Sequence, residues 1–188
     1  VLDWLRIGDF LDAATLEHWR RVVRDAEGGA ATIMSAQPGG RVAPQMRRST
    51  RLTPGAGIEQ AVLARIEARR GDIETWHGAA LGACEPPQFL RYDPGDYFVA
   101  HQDGNTPLVH DASRHRRVSF VIALSDPADY AGGALVLHGG RDEPNRREML
   151  TPSAGTLVAF RAETTHEVAI VTHGKRYTIA SWLLAPGV

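Results

Sequence analysis

Phe89-Leu90-Arg91-Tyr92-Asp93-Pro94-Gly95-Asp96-Tyr97-Phe98-Val99-Ala100-His101-Gln102-Asp103 is the stretch on which the fold turns. Two short runs of aromatic and apolar residues, Gln88 to Tyr92 and Tyr97 to Ala100, flank a Pro-Gly turn, which is the pattern of paired strands. The same rhythm continues at Val118 to Leu124, Ala134 to His138, Thr156 to Phe160, Thr165 to Val171 and Arg176 to Leu184. Between these runs lie Ala131-Gly132-Gly133, Gly139-Gly140, Pro152 to Gly155 and His173-Gly174, read as the turns of an antiparallel sandwich or jelly roll. Upstream the period changes to a helical one. Asp12 is placed to N-cap a helix over about 13 to 26, with Leu16, Trp19, Val22 and Val23 as its apolar stripe and Gly28-Gly29 as its end. Helical spacing returns from about Ile58 to Leu81, with a break expected at Gly71. Between the helices, Gln37-Pro38-Gly39-Gly40 reads as a turn and Arg47-Arg48-Ser49-Thr50-Arg51-Leu52 as a short, basic, extended segment. The expectation is one mainly β domain over 1–188, with flanking helices in 1–87 supporting a jelly-roll core in 88–188.

Composition bounds the function. With 188 residues and 43% hydrophobic content the chain can bury a core without staples, and 21 Lys+Arg against 22 Asp+Glu argue against a dedicated polyanion binder. Cys84 is the single cysteine, so an internal disulfide and a thiolate zinc site are both excluded, and a reducing compartment fits. No apolar run approaches the roughly 20 residues of a membrane span, and Val1-Leu2-Asp3-Trp4 lacks the layout of a signal peptide, so a cytoplasmic chain without a membrane partner is expected. Nothing suggests an aromatic-lined nucleic-acid groove, and no feature sets an oligomeric state.

Eight histidines are present, at 18, 77, 101, 110, 115, 138, 166 and 173, and most read as surface or loop residues, His18, His77 and His138 among them. His101-Gln102-Asp103 differs because it closes a strand, where side chains two apart can share a face. His-x-Asp is short enough to arise by chance, so its weight comes from His166, inside the apolar run Thr165 to Val171 and joinable to it by sheet pairing. Two imidazoles and a carboxylate on one side of a metal leave the other side open, as in non-haem Fe(II) oxygenases, although a zinc hydrolase can use the same donors. Arg176, opening the last run, separates the two. An Arg inside a sheet needs an anion, and its fork suits a carboxylate such as the far end of 2-oxoglutarate.

With these residues identified, the chain from Gln88 to Leu184 resembles the prolyl-4-hydroxylase-like branch of the Fe(II)/2-oxoglutarate dioxygenases. The resemblance is carried by the stretch quoted above, by Arg116 to Pro127, by Asp129-Tyr130-Ala131-Gly132-Gly133-Ala134-Leu135, and by Pro152, Gly155, Phe160, His166-Glu167-Val168 and Gly174-Lys175-Arg176-Tyr177. The middle blocks are most like the bacterial PKHD-type hydroxylases.

The resemblance implies a double-stranded β-helix with His101, Asp103 and His166 as catalytic iron ligands and Arg176 holding the 5-carboxylate of 2-oxoglutarate. Lys175 is the rival anchor, which strand alternation sends to the opposite face. Tyr92 would bond the cosubstrate or line its pocket, and Thr178 and Trp182 share the inward face with Arg176. Ala123 stands where some relatives carry a cosubstrate-binding tyrosine. The implied cofactors are Fe(II), 2-oxoglutarate and O2, with ascorbate as a reductant. The implied reaction hydroxylates an aliphatic C–H of an amino-acid-like unit, in a small molecule or a peptide, while 2-oxoglutarate becomes succinate and CO2. An Asp at position 103 argues against a halogenase. Gly104 to His115, with Asn105, His110, Asp111 and Arg114, reads as a polar lid, and Arg47, Arg48 and Arg51 would flank the mouth and suit an anionic small molecule or acidic peptide. The alternative is a zinc-binding or non-enzymatic jelly roll of cupin type.

Overall fold

The computed structural model describes residues 2–33, 40–107 and 111–188. In chain order the strands are β1 (Trp4–Ile7), β2 (Gly28–Ala30), β3 (Arg47–Arg48), β4 (Thr50–Leu52), β5 (Gln88–Tyr92), β6 (Tyr97–His101), β7 (Arg116–Ala123), β8 (Tyr130–Gly132), β9 (Leu135–His138), β10 (Arg147–Leu150), β11 (Leu157–Arg161), β12 (His166–Val168), β13 (Val171–Gly174) and β14 (Arg176–Leu184). The helices are α1 (Ala13–Asp25), α2 (Ala56–Ala68) and α3 (Arg70–His77). A seven-stranded sheet, ordered β1-β11-β7-β14-β5-β4-β2, faces a five-stranded sheet, β10-β9-β12-β6-β3, and β13 pairs with β8 in a small third sheet. This is a double-stranded β-helix with helices on one outer face. No described helix is long and apolar enough to cross a membrane.

Alternation along the central strands explains the layering. On β14, Ile179 and Leu183 point to the helix side, where they join Phe89, Phe120, Ile122 and the helical Trp19, Val23, Val62, Ile66 and Ile73 in one core. The intervening Arg176, Thr178, Ala180 and Trp182 face the opposite sheet and line a cleft. β7 and β14 are buried on both faces over most of their length, and both read from the sequence as strands. The two sheets meet through Leu135 and Leu137 against Val158 and Phe160, and through Leu90 and Tyr92 against Phe98 and Val168.

Asp12 caps α1 as the sequence predicts, its carboxylate accepting the Thr15 N–H at 2.8 Å. Other expectations need correction. Gly28-Gly29 does not simply end α1: the helix stops at Asp25 and the glycines begin an edge strand paired with Thr50–Leu52. The second helical stretch breaks at Arg69, before Gly71, because Arg70 donates to the Glu67 carboxylate and to the Leu81 and Gly82 carbonyls, fixing a corner. It ends at His77, short of Leu81, where Gly78 takes the left-handed conformation (φ 83°) and donates its N–H to Glu74. The run Thr165 to Val171 divides between two sheets, as β12 and β13, and the Ala131-Gly132 and His173-Gly174 breakers are themselves paired strands. The segment Arg47 to Leu52 also divides, β3 joining one sheet and β4 the other. Of the expected Gln37 to Gly40 turn, only Gly40 lies within the described residues.

Candidate active site

His101 closes β6, His166 opens β12, and the antiparallel register sets them directly opposite each other. Their ring centroids are therefore 4.2 Å apart. Asp103 lies two residues past the strand end, where its N–H donates to the Ala162 carbonyl at 3.0 Å and turns the carboxylate back toward both rings. Asp103 Oδ1 lies 3.5 Å from His101 Nε2, and Oδ2 lies 3.4 Å from His166 Nε2. One donor atom from each residue falls within 4.8 Å of the other two.

The imidazoles are held for ligation. His101 Nδ1 and His166 Nδ1 each sit 2.9 Å from a backbone carbonyl, of Val99 and Thr164. A carbonyl only accepts, so in each ring Nδ1 carries a proton and Nε2 is the nitrogen turned to the cleft. Phe98 stacks on His101 at 3.6 Å between centroids, and Phe160 packs on His166 at 4.6 Å, fixing both rings. Burial, then the neighbouring His101, push the His166 imidazole down to about 4, so it is neutral at pH 7. Burial alone would raise the Asp103 carboxyl, but the neighbouring His166 and His101 outweigh it and hold the group well below the ordinary carboxylate range. Neutral His166, ionised Asp103 and the Nε2 of His101 thus converge on one point. A divalent cation is what this donor set fits.

Around the triad, Ser119 donates its hydroxyl to Asp103 Oδ2 at 2.7 Å. Arg116 grips Glu85 with two hydrogen bonds of 2.6 and 2.8 Å, donates to the Asp103 carbonyl at 3.2 Å, and lies 3.7 Å over the Trp182 ring. Trp182 Nε1 is buried beside the triad with no hydrogen bond of good geometry among the described residues.

Arg176 is 3% exposed and pairs across the ladder with Tyr92, its guanidinium 5.3 Å from the Tyr92 ring. Among the described residues it meets no carboxylate. Gly133 makes room for it: a Cβ there would lie 3.1 Å from Arg176 Cδ and 2.8 Å from Val171. Thr178, opposite Ala123, and Trp182, opposite Ser119, line the same cleft, which encloses about 500 Å³ including its open mouth. Lys175 points away, exposed, with Nζ 3.8 Å from Asp93.

The structure thus brings together all seven sequence-predicted site residues, and it corrects the expected rim. Arg48 and Arg51 are exposed, whereas Arg47 is buried and lines the cleft itself. The loop after Asp103 folds against the sheet edge, with Asn105 donating to Glu163 and Asp111 capping a 3-10 turn over Ala112–His115. None of its described residues lines the cleft, and His110 lies outside the described residues. His138 is half-buried beside Glu167, at 3.4 Å, on the face of its sheet away from the triad. Phe98 and Ser119 were not singled out by sequence, since neither residue type carries a signal without the register that delivers it.

Comparison with known proteins agrees with this geometry. Residues 87–184 match the family model of the 2OG-Fe(II) oxygenase superfamily. A PKHD-type hydroxylase of Paracoccus denitrificans is 31% identical over 182 residues, covering 95% of this chain and 76% of the relative. Its Klebsiella pneumoniae counterpart is 30% identical, covering 94% and 76%. Among solved structures, a Pseudomonas putida prolyl-4-hydroxylase superposes with a TM-score of 0.72 at 23% identity, over 100% of this chain and 95% of that one. A Trichoplax adhaerens prolyl hydroxylase, solved with a hypoxia inducible factor peptide fragment, gives 0.70 at 14% identity over 98% and 84%. HygX from Streptomyces hygroscopicus, solved with nickel, 2-oxoglutarate and hygromycin B, gives 0.66 at 13% identity over 98% and 83%. The zinc-binding and non-enzymatic alternatives give way to these matches. By sequence and by fold the chain belongs to the 2OG-Fe(II) oxygenase superfamily, as a dioxygenase whose cofactors are Fe(II), 2-oxoglutarate and O2.

Proposed function

We propose that His101, Asp103 and His166 hold the iron, that Arg176 holds the far carboxylate of 2-oxoglutarate, and that the reaction hydroxylates an aliphatic C–H of an amino-acid-like unit. The observation that carries this reading is the convergence of the three donor atoms within 4.8 Å, in the same cleft as a buried guanidinium that meets no carboxylate among the described residues. When bound, the metal and cosubstrate supply the oxidation: one oxygen of O2 enters succinate, the other enters the product, and CO2 leaves. The chain's own part is positioning and exclusion of water. Neutral His166 and ionised Asp103 are ready ligands at pH 7, Arg176 offers a paired N–H edge, and Tyr92, Thr178 and Trp182 wall the cosubstrate space. Leu90, Phe98 and Val168 make much of the lining apolar, which strengthens every charged contact inside.

The relatives' description as hydroxylases supports oxygen insertion. The fold neighbours described as prolyl hydroxylases support an amino-acid-like target, and the one bound to hygromycin B keeps small molecules within the class. The test is succinate release by purified protein given Fe(II), 2-oxoglutarate and O2, followed by a mass-spectrometric screen of amino acids and prolyl peptides for a gain of one oxygen. Absence of both succinate and 2-oxoglutarate binding would overturn the reading.

A smaller effect checks the ligand assignment. Ser119→Ala removes the hydroxyl that fixes Asp103 Oδ2. Metal affinity is expected to fall roughly 10- to 100-fold, the usual cost of losing an outer-shell partner. Titration with Mn(II) under anaerobic conditions reads this, and unchanged affinity would mean that Ser119 does not position a ligand.

A further inference from the structure

Resting on the reading that Arg176 takes the cosubstrate, we propose that Arg47 is a second carboxylate anchor in the cleft, and that the substrate is a small free acid whose carboxylate it receives. Arg47 is 7% exposed and lines the cleft from β3, in the sheet opposite the one that carries Arg176. Among the described residues its side chain is fixed by uncharged partners. Nε donates to Ser49 Oγ at 3.0 Å, Nη1 donates to the Thr32 carbonyl at 3.1 Å, and the guanidinium lies 4.8 Å over the Phe98 ring. Phe98 in turn stacks on His101 at 3.6 Å, so Arg47 sits one aromatic ring away from the metal triad. Among the described residues, Nη2 has no acceptor.

A buried guanidinium is costly unless an anion meets it. Among the described residues lining the cleft Asp103 is the only carboxylate, and it is already engaged by His101, His166 and Ser119. Two guanidiniums and a divalent cation against that single carboxylate leave an excess of three positive charges. The two carboxylates of 2-oxoglutarate lower the excess to one, and one further carboxylate balances the site. Arg47 is buried and lines the cleft, with its guanidinium over the Phe98 ring. The charge that is missing is that of a small monoacid without a compensating ammonium, such as an N-acylated amino acid. A peptide backbone offers no charge at that depth, and only an acidic side chain or the C-terminus of a peptide could supply one.

The experiment uses the full chain loaded with Mn(II) and 2-oxoglutarate without oxygen, titrated calorimetrically with free and N-acetyl L-amino acids, with their primary amides, and with short acidic peptides. At least one free acid is expected to bind about 30-fold or more tightly than its amide, as a lost charge-assisted pair requires. Arg47→Gln should erase that preference while leaving the weak binding of the amide, and Arg47→Lys, which keeps charge but not the fork, should retain part of it. The proposal is overturned if no acid is preferred in the wild type, if only peptides bind, or if the preference survives in Arg47→Gln. It is also overturned if Arg47→Gln weakens 2-oxoglutarate by the same factor as the acid. The acid-against-amide comparison needs no variant, so a poorly folding Arg47→Gln leaves the test intact. Failure of the iron and cosubstrate reading shows separately, because the wild type would then not bind 2-oxoglutarate at all.

Discussion

Replacing His166 by alanine is expected to abolish iron binding and turnover together. His166 supplies one of three donors, is 5% exposed, and among the described residues no fourth His, Cys, Asp or Glu joins the cluster. Loss of an outer-shell partner costs about 10- to 100-fold in metal affinity, and loss of a ligand should exceed that, at about 1000-fold or about 4 kcal/mol. Mn(II) titration reads the affinity, and succinate release reads the turnover. Burial makes His166→Ala a cavity-forming change as well, so circular dichroism and His166→Gln, which refills much of the volume, separate a lost ligand from a lost fold. His138→Ala is the matched control. It removes a half-buried imidazole from the neighbouring strand but from a site outside the triad, and should keep metal stoichiometry unchanged. Full iron stoichiometry in His166→Ala would sink the ligand assignment.

How much of this was legible follows from what each contact depends on. His101, Asp103, Thr178 and Trp182 could be read because a strand repeats every two residues, so one inward residue identifies the next. His166 needed only the guess that its run pairs with β6, and the register does place it opposite His101. The edges were not legible. Trp4–Ile7 is a four-residue strand whose partner, Leu157–Phe160, lies some 150 residues away, and nothing local distinguishes it from a loop. Arg147–Leu150 fails for a related reason: exposed on alternate residues and carrying charge, it resembles a solvated segment until β9 is placed beside it. Gly132 and Gly174 misled in the opposite direction, since glycines that punctuate a sequence can also let two backbones pair closely, as β8 and β13 do. Arg47 was seen as a basic residue near the mouth; its burial depends on a two-residue strand joining the opposite sheet from β4, a switch with no periodic signature. Cys84 entered the sequence reading only as the single cysteine, unable to form an internal disulfide. Burial raises its thiol to about 11, which leaves almost no thiolate at neutral pH.

Arg176→Ala is expected to weaken 2-oxoglutarate binding by about 100-fold or more, about 3 kcal/mol, because it deletes one side of a buried, charge-assisted pair. Geometry makes the residue specific for the task. Arg176 opens β14 on the cleft side, is braced over Tyr92, and occupies room left by Gly133, while Lys175 next to it lies on the outer surface near Asp93. Lys175→Ala should therefore change the cosubstrate affinity by little, as expected of an exposed ion pair. Arg176→Lys keeps the charge but loses the two-pronged edge, and should fall between the wild type and Arg176→Ala. Metal binding offers the internal check: the triad does not touch Arg176, so a folded Arg176→Ala protein should still titrate with Mn(II) while needing far more 2-oxoglutarate to saturate. If both metal and cosubstrate affinity fall together, the residue supports the fold of the cleft rather than the carboxylate. If Lys175→Ala carries the larger loss, the anchor is the lysine, and the inward face of β14 serves the substrate instead.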